Sequence, residues 1–146
     1  MMDGNPLLGT WKLKSYVVTT EAGKRSTPYG ESPTGYISYT ADGRMQVIGA
    51  TSDRIVPVGT TPPDNERVAL HDTMFAYAGT YSLEVGKVIH HVDISWNEVW
   101  TGTDQTRHFE VNGDTLTLSM SVTDPAHDEE TRYVVVWEKV TSPRLP

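Results

Sequence analysis

The residues best suited to chemistry in this chain are two adjacent histidines and one arginine. His90 and His91 sit in the run VIHHVDISW, from Val88 to Trp96, and Arg107 sits in TDQTRHFEV, from Thr103 to Val111. An imidazole moves protons near neutral pH or ligates a metal, while a guanidinium keeps its charge and forks onto carboxylates and carbonyls. What they do depends on which way they point. In an extended strand neighbours face opposite sides of the sheet, so His90 and His91 cannot hold one ion together. Val88, His90, Val92, Ile94 and Trp96 form an apolar face, which places His90 inside and His91 in water. In the second run Gln105, Arg107, Phe109 and Val111 alternate with Asp104, Thr106, His108 and Glu110, so Gln105 and Arg107 also face inward.

If these two strands form a hairpin symmetric about its loop, His90 lies opposite Phe109, Val92 opposite Arg107 and Ile94 opposite Gln105. His91 then lies opposite His108 on the outer face. Zinc needs three or four ligands, and Asp93 and Glu110 are a weak supplement to two imidazoles, so a solvated face is expected there and no metal site.

These strands belong to a longer series. Runs rich in Val, Thr, Tyr and Trp with period-two alternation recur at 9–19, 34–40, 44–50, 77–84, 87–96, 103–111, 114–122 and 131–140. Short links at 41–44, 84–87 and 111–114 alternate with long ones at 20–33, 51–76, 97–102 and 123–130. In an up-and-down sheet successive turns fall at opposite ends, so the short links share one end and the long loops the other. The expected fold is all-β: an eight-stranded antiparallel up-and-down barrel, a size whose interior holds one small ligand. The long-loop end is its mouth, with Gln105 the nearest of the inward polar residues. In the longest loop TPPDNERVALHDTMFAY predicts one short helix near the open end, with Thr61 as its cap and Leu70 and Met74 on one face. Trp11, Leu13, Ser15 and Val17 form one face of the first strand, and the last strand is apolar on both faces, which leaves its register open.

At 146 residues the chain has the length of a single domain, taken as 1–146. A net charge of -7 disfavours nucleic acid and anionic membrane surfaces as partners. Without cysteine there are no disulfides, thiolate metal sites or Cys nucleophile. MMDGNPLLGTW has no basic segment followed by an apolar stretch, and no apolar run is long enough to span a bilayer, so a cytoplasmic location is expected. No Ser-His-Asp spacing, phosphate-cradling glycine loop or dinucleotide fingerprint occurs, and no cofactor is expected.

The motif GTW at 9–11, with LLGTWKLKSY, YGESPTGYISYTADGRM, YAGTYSLEVGKVIHHVDISW and WTGTDQTRHFEVNGDTLTLS, resembles the bacterial and fungal lipocalin-like domain family of the calycin superfamily. The resemblance covers most of the chain. It implies a lipocalin-like barrel closed at one end by Trp11 and hollow inside. Calycins often stack a late arginine on this tryptophan, and Lys139 occupies the corresponding place. Some lipocalin-like proteins of secondary metabolism are cofactor-free cyclases or pericyclases, so the resemblance also admits catalysis.

Two functional readings stay open. In the first, the barrel binds one small, largely apolar molecule through a carbonyl, carboxylate or hydroxyl. Arg107, Gln105 and His90 orient it, with Tyr39 and Tyr81 deeper in the barrel, Tyr77 nearer the rim and Trp100 over the mouth. In the second, a cyclase or isomerase acts on a polyketide-like substrate, with Arg107 stabilising an enolate and His90 moving a proton. For His90 and the tyrosines plain packing is the competing explanation, and for Tyr29 and Glu31 in TPYGESP it is a rigid turn-rich loop. A third reading is a packed barrel whose surface engages a protein. A homodimer is compatible with each.

Overall fold

The computed structural model describes residues 4–124, 126 and 129–141. Its strands are β1 (Gly9–Thr20), β2 (Arg25–Ser26), β3 (Thr34–Tyr39), β4 (Arg44–Ala50), β5 (Met74–Glu84), β6 (Lys87–Ser95), β7 (Asp104–Asn112), β8 (Thr115–Asp124) and β9 (Glu129–Lys139). A helix, α1 (Asp64–Asp72), precedes β5, and a single 3-10 turn, Glu98–Trp100, joins β6 to β7. Every neighbouring pair is antiparallel, and β9 pairs back onto β1, so the eight long strands close a barrel while two-residue β2 rides on the edge of β1. Closure gives every long strand a partner on both sides along at least part of its length.

Tight turns gather at one end, as the alternation of link lengths predicts. Gly43, Gly86 and Gly113 stand at positive φ in the three short hairpins, which L-residues with a Cβ avoid. The same end is plugged by Trp11, whose Nε1 donates to the Leu7 carbonyl at 2.9 Å. The Lys139 ammonium lies 4.6 Å from its ring centroid and also donates to the Leu8 carbonyl. Gly9 beside it stands at φ 117°, a backbone conformation that favours glycine, and a Cβ there would also push on the Lys139 ammonium. The core runs upward from this plug through Leu13, Ile37, Met45, Val88, Leu116 and Leu118.

Two β-bulges break the alternation that the sequence suggests. In β1 the register shifts between Leu13 and Ser15, so Lys14 is the extra residue. Trp11 and Leu13 face inward, but above the bulge Tyr16 takes the inward place assigned to Ser15 and Val17. In β6 Val92 pairs with Gly79 and Ile94 with Ala78, which leaves Asp93 extra. Ile94 is therefore turned out and is 65% exposed instead of lining the interior.

The β6–β7 register also differs from a symmetric hairpin. His90 lies opposite Gln105 and Val88 opposite Arg107, while outside His91 lies opposite Asp104 and His108 opposite Lys87. The cause is an asymmetric connection: the upper part of β6 stays with β5, and the Thr103 carbonyl and Gly102 N–H both bond to Val92. No group of three His, Cys, Asp or Glu side chains converges among the described residues.

The helix starts after Pro63, without the Thr61 cap that the sequence suggests. Arg67 bonds the Pro62 carbonyl and Asp64 instead, and Met74 opens β5 rather than extending the helix. Arg54 fastens the last turn through the Leu70 carbonyl at 2.8 Å, but α1 buries no residue. No helix among the described residues is long and apolar enough to cross a membrane. The predicted loop 123–130 lies partly outside the described residues.

Candidate functional site

At the centre of the site is His90, held by β6 with its side chain 1% exposed. Its Nε2 is 2.7 Å from the Tyr39 hydroxyl of β3, and its Nδ1 is 2.7 Å from the Tyr77 hydroxyl of β5. Three strands thus place an unbroken phenol-imidazole-phenol chain across the barrel. Burial above all, then the nearby Arg107 charge and His91, lowers the His90 pKa to about 3, so the ring is neutral. Burial raises Tyr77 to about 12 and Tyr39 well above the ordinary phenol value; Arg107 opposes both shifts.

Above this chain opens a cavity of about 100 Å³, walled mainly by aromatic and aliphatic groups. Tyr77 and His90 reach it from one side, Leu118, Met120 and Trp137 from another, and Trp96 and Trp100 roof it. The roof is a stack, with Trp100 centred 5.6 Å from Tyr77 and 5.7 Å from Trp96, and His71 of α1 lying 6.1 Å beyond Trp96. A second aromatic group closes the rim: Tyr16, Tyr29 and Phe75, with Tyr29 centred 4.9 Å from each of the others.

Arg107 is the charged member of the wall. It stands where β7 and β8 part, because those strands pair only through His108–Asn112 and Thr115–Ser119. Its guanidinium donates to the Thr106 carbonyl at 3.0 Å and to the Gln105 Oε1 at 3.3 Å, both neutral acceptors. No described carboxylate forms an ion pair with it, and none lines the cavity. Two buried indole N–H groups, those of Trp96 and Trp137, also lack an acceptor among the described residues. Burying a polar group unpaired costs about 1–3 kcal/mol, so these donors favour a partner with oxygen acceptors.

Of the residues singled out from sequence, Tyr77, His90, Trp100 and Arg107 meet at the cavity. The other three do not line it. Tyr39 is buried behind His90, with its ring centred 4.9 Å from Tyr81. Tyr81 belongs to the closed end, where its hydroxyl donates to the Thr40 carbonyl and accepts from the Asn5 side chain. Gln105 buttresses Arg107 and gives its amide to the Thr103 hydroxyl at 2.8 Å.

A family model described as a lipocalin-like domain matches residues 8–140. The chain belongs to this family. No curated protein matches it. In this lipocalin-like domain the Trp11 plug and the eight-stranded closure agree with the family fold, whereas part of the cavity lining comes from side chains that alternation alone mislays. Tyr16 faces inward only because of the Lys14 bulge, and Tyr133 and Trp137 follow the β1–β9 register that a doubly apolar strand leaves open. Tyr29 comes from the turn-rich loop and joins the rim through ring contacts that no spacing encodes. Trp137 carried one signal, since it falls two residues before Lys139, the partner of the plug.

Proposed function

We propose that this lipocalin-like barrel binds one small, largely apolar molecule by inserting a carbonyl, hydroxyl or carboxylate toward Arg107. The observation that supports it most directly is a guanidinium with only neutral protein partners among the described residues, on the wall of an aromatic cavity. Arg107 is half-buried, so a ligand oxygen reaching it would replace part of its water with a charge-assisted hydrogen bond. Apolar walls supply affinity and the few polar groups supply orientation. At about 100 Å³ the hollow takes one ring-sized group, so a larger ligand must displace the Trp96–Trp100 roof or extend past it.

Titrating fatty, aromatic and polyketide-like compounds while following tryptophan fluorescence tests the reading. Saturable change with at least one class is expected, weakened about tenfold or more by Arg107→Met. No response from any class rejects it.

A cofactor-free cyclase or isomerase is the second reading, and the presence of the Tyr77 phenol and Arg107 on the lining of one cavity favours it, because together they could polarise a carbonyl. His90 then acts through Tyr77 and not as a free acid, since both its nitrogens are engaged. Turnover that is lost on Tyr77→Phe while binding persists would separate catalyst from carrier.

A further inference from the structure

The Tyr39–His90–Tyr77 chain has a direction. A neutral imidazole carries one N–H, so one phenol must donate to the ring and the other must accept from it. Tyr39 is 1% exposed, does not reach the cavity, and has the His90 Nε2 as its one hydrogen-bond partner among the described residues. If Nε2 carried the proton, the buried Tyr39 O–H would have no acceptor among the described residues. The satisfied arrangement has the Tyr39 O–H donating to Nε2 and Nδ1–H donating to the Tyr77 oxygen. That leaves the Tyr77 O–H without a protein acceptor among the described residues, on a side chain that lines the cavity. Three further donors face the same cavity: among the described residues the Arg107 guanidinium has no ion-pair partner, and the Trp96 and Trp137 Nε1–H groups have no acceptor. The described lining therefore offers a fixed positive charge, one phenolic and two indole protons, and no negative charge.

We propose that the cavity is a monoanion site for a flat organic acid, an aromatic carboxylate or a phenolate, whose oxygen is held by Arg107 and the Tyr77 O–H. Tyr39 acts as the positioning residue that fixes the direction of the Tyr77 proton. This rests on the binding reading above and narrows it, because an anionic oxygen gains more from a half-buried guanidinium than a neutral carbonyl does. The anion would close the small cavity with its ring against the aromatic walls and its charge at the β7–β8 fork.

Matched probes test it at pH 7: benzoate and 2-naphthoate against benzamide and 2-naphthamide, followed by calorimetry and tryptophan fluorescence. The anions are expected to bind about tenfold tighter or more than the amides. Amides binding as well as acids would overturn the monoanion assignment while leaving the binding reading standing; silence from all four probes and from the wider ligand panel would remove both. Nitrogen-15 spectra of the unaltered protein read the His90 tautomer directly, with the proton expected on Nδ1; a proton on Nε2 would overturn the relay. In Tyr39→Phe, checked for folding by thermal melt, no donor is left to hold Nε2 as the acceptor, so the proton is expected to divide between Nδ1 and Nε2 and the affinity for benzoate to fall about twofold or more, although residue 39 does not touch the ligand. Unchanged tautomer and affinity in that variant would contradict the positioning role.

Discussion

His90 is a buried base that cannot be protonated without disrupting its surroundings. A cation there would face Arg107 across an apolar interior, and one of its two phenol partners would have to give up donating to the ring. This makes the domain acid-sensitive in a defined window. Because the folded-state pKa of about 3 lies below the ordinary value of 6.5, the unfolded chain binds the extra proton between them. Stability is fully present above pH 6.5 and is lost as pH falls toward 3, by about 1.4 kcal/mol per unit at most. Urea denaturation of the protein and of His90→Gln should show the stability gap between them narrowing from pH 7 to pH 4. A constant gap would mean that the imidazole is not held neutral. Acid sensitivity also bears on function, since a ligand site organised around a neutral ring operates only where that ring stays neutral.

The strands position these side chains, and the extra residues in them decide which side chains meet. Alternation placed His90, Arg107 and Gln105 inside because each lies on a stretch of strand free of bulges. It misplaced Ile94 and missed Tyr16 because Asp93 and Lys14 each reverse the facing of the residues beyond them, and an inserted polar residue looks like an ordinary outward one in sequence. The hairpin register failed for a related reason: the bonds that Thr103 and Gly102 make to Val92 are set by a tight turn and not by symmetry. The Asp93 bulge brings backbones close. A Cβ on Gly79 would lie 1.8 Å from the His91 carbonyl oxygen, with no flexible side chain able to yield. Gly79→Ala is therefore expected to cost about 3 kcal/mol or more, or to prevent folding, as measured by urea or thermal unfolding. A loss under about 1 kcal/mol would show that the bulge can slide. Outside the barrel Arg44 bonds Asp93 at 2.8 Å; both groups are about half exposed, so the bridge fastens the bulge without adding much stability.

At the scale of the whole molecule one end is locked and the other is loosely roofed. The plug joins Trp11, Leu7, Leu8 and Lys139, while at the mouth α1 buries no side chain and is tied by Arg54, by its short connection into β5 and by the His71–Trp96 approach. The alternation of short and long links made this polarity legible in the sequence, since it depends only on turn lengths. Amides of α1 should therefore exchange with deuterium much faster than those of β1 and β9 and should slow when a ligand is bound; protection equal to the barrel strands would rule out α1 as the yielding part of the roof. Ile55, Val56 and Val58 in the loop before α1 are exposed and stay out of the buried core, which their apolar character alone does not reveal.

The central claim, a ligand seated among the aromatic walls above His90, has its most direct test in the four indole N–H signals of a proton-nitrogen correlation spectrum, because the tryptophans sort themselves by place. Trp96, Trp100 and Trp137 line the cavity, whereas the Trp11 N–H is bonded to Leu7 at the closed end. Addition of a binding aromatic acid should shift the Trp96, Trp100 and Trp137 signals saturably and leave that of Trp11 in place. Shifts confined to Trp11, or spread evenly over all four, would put the ligand elsewhere and contradict the account.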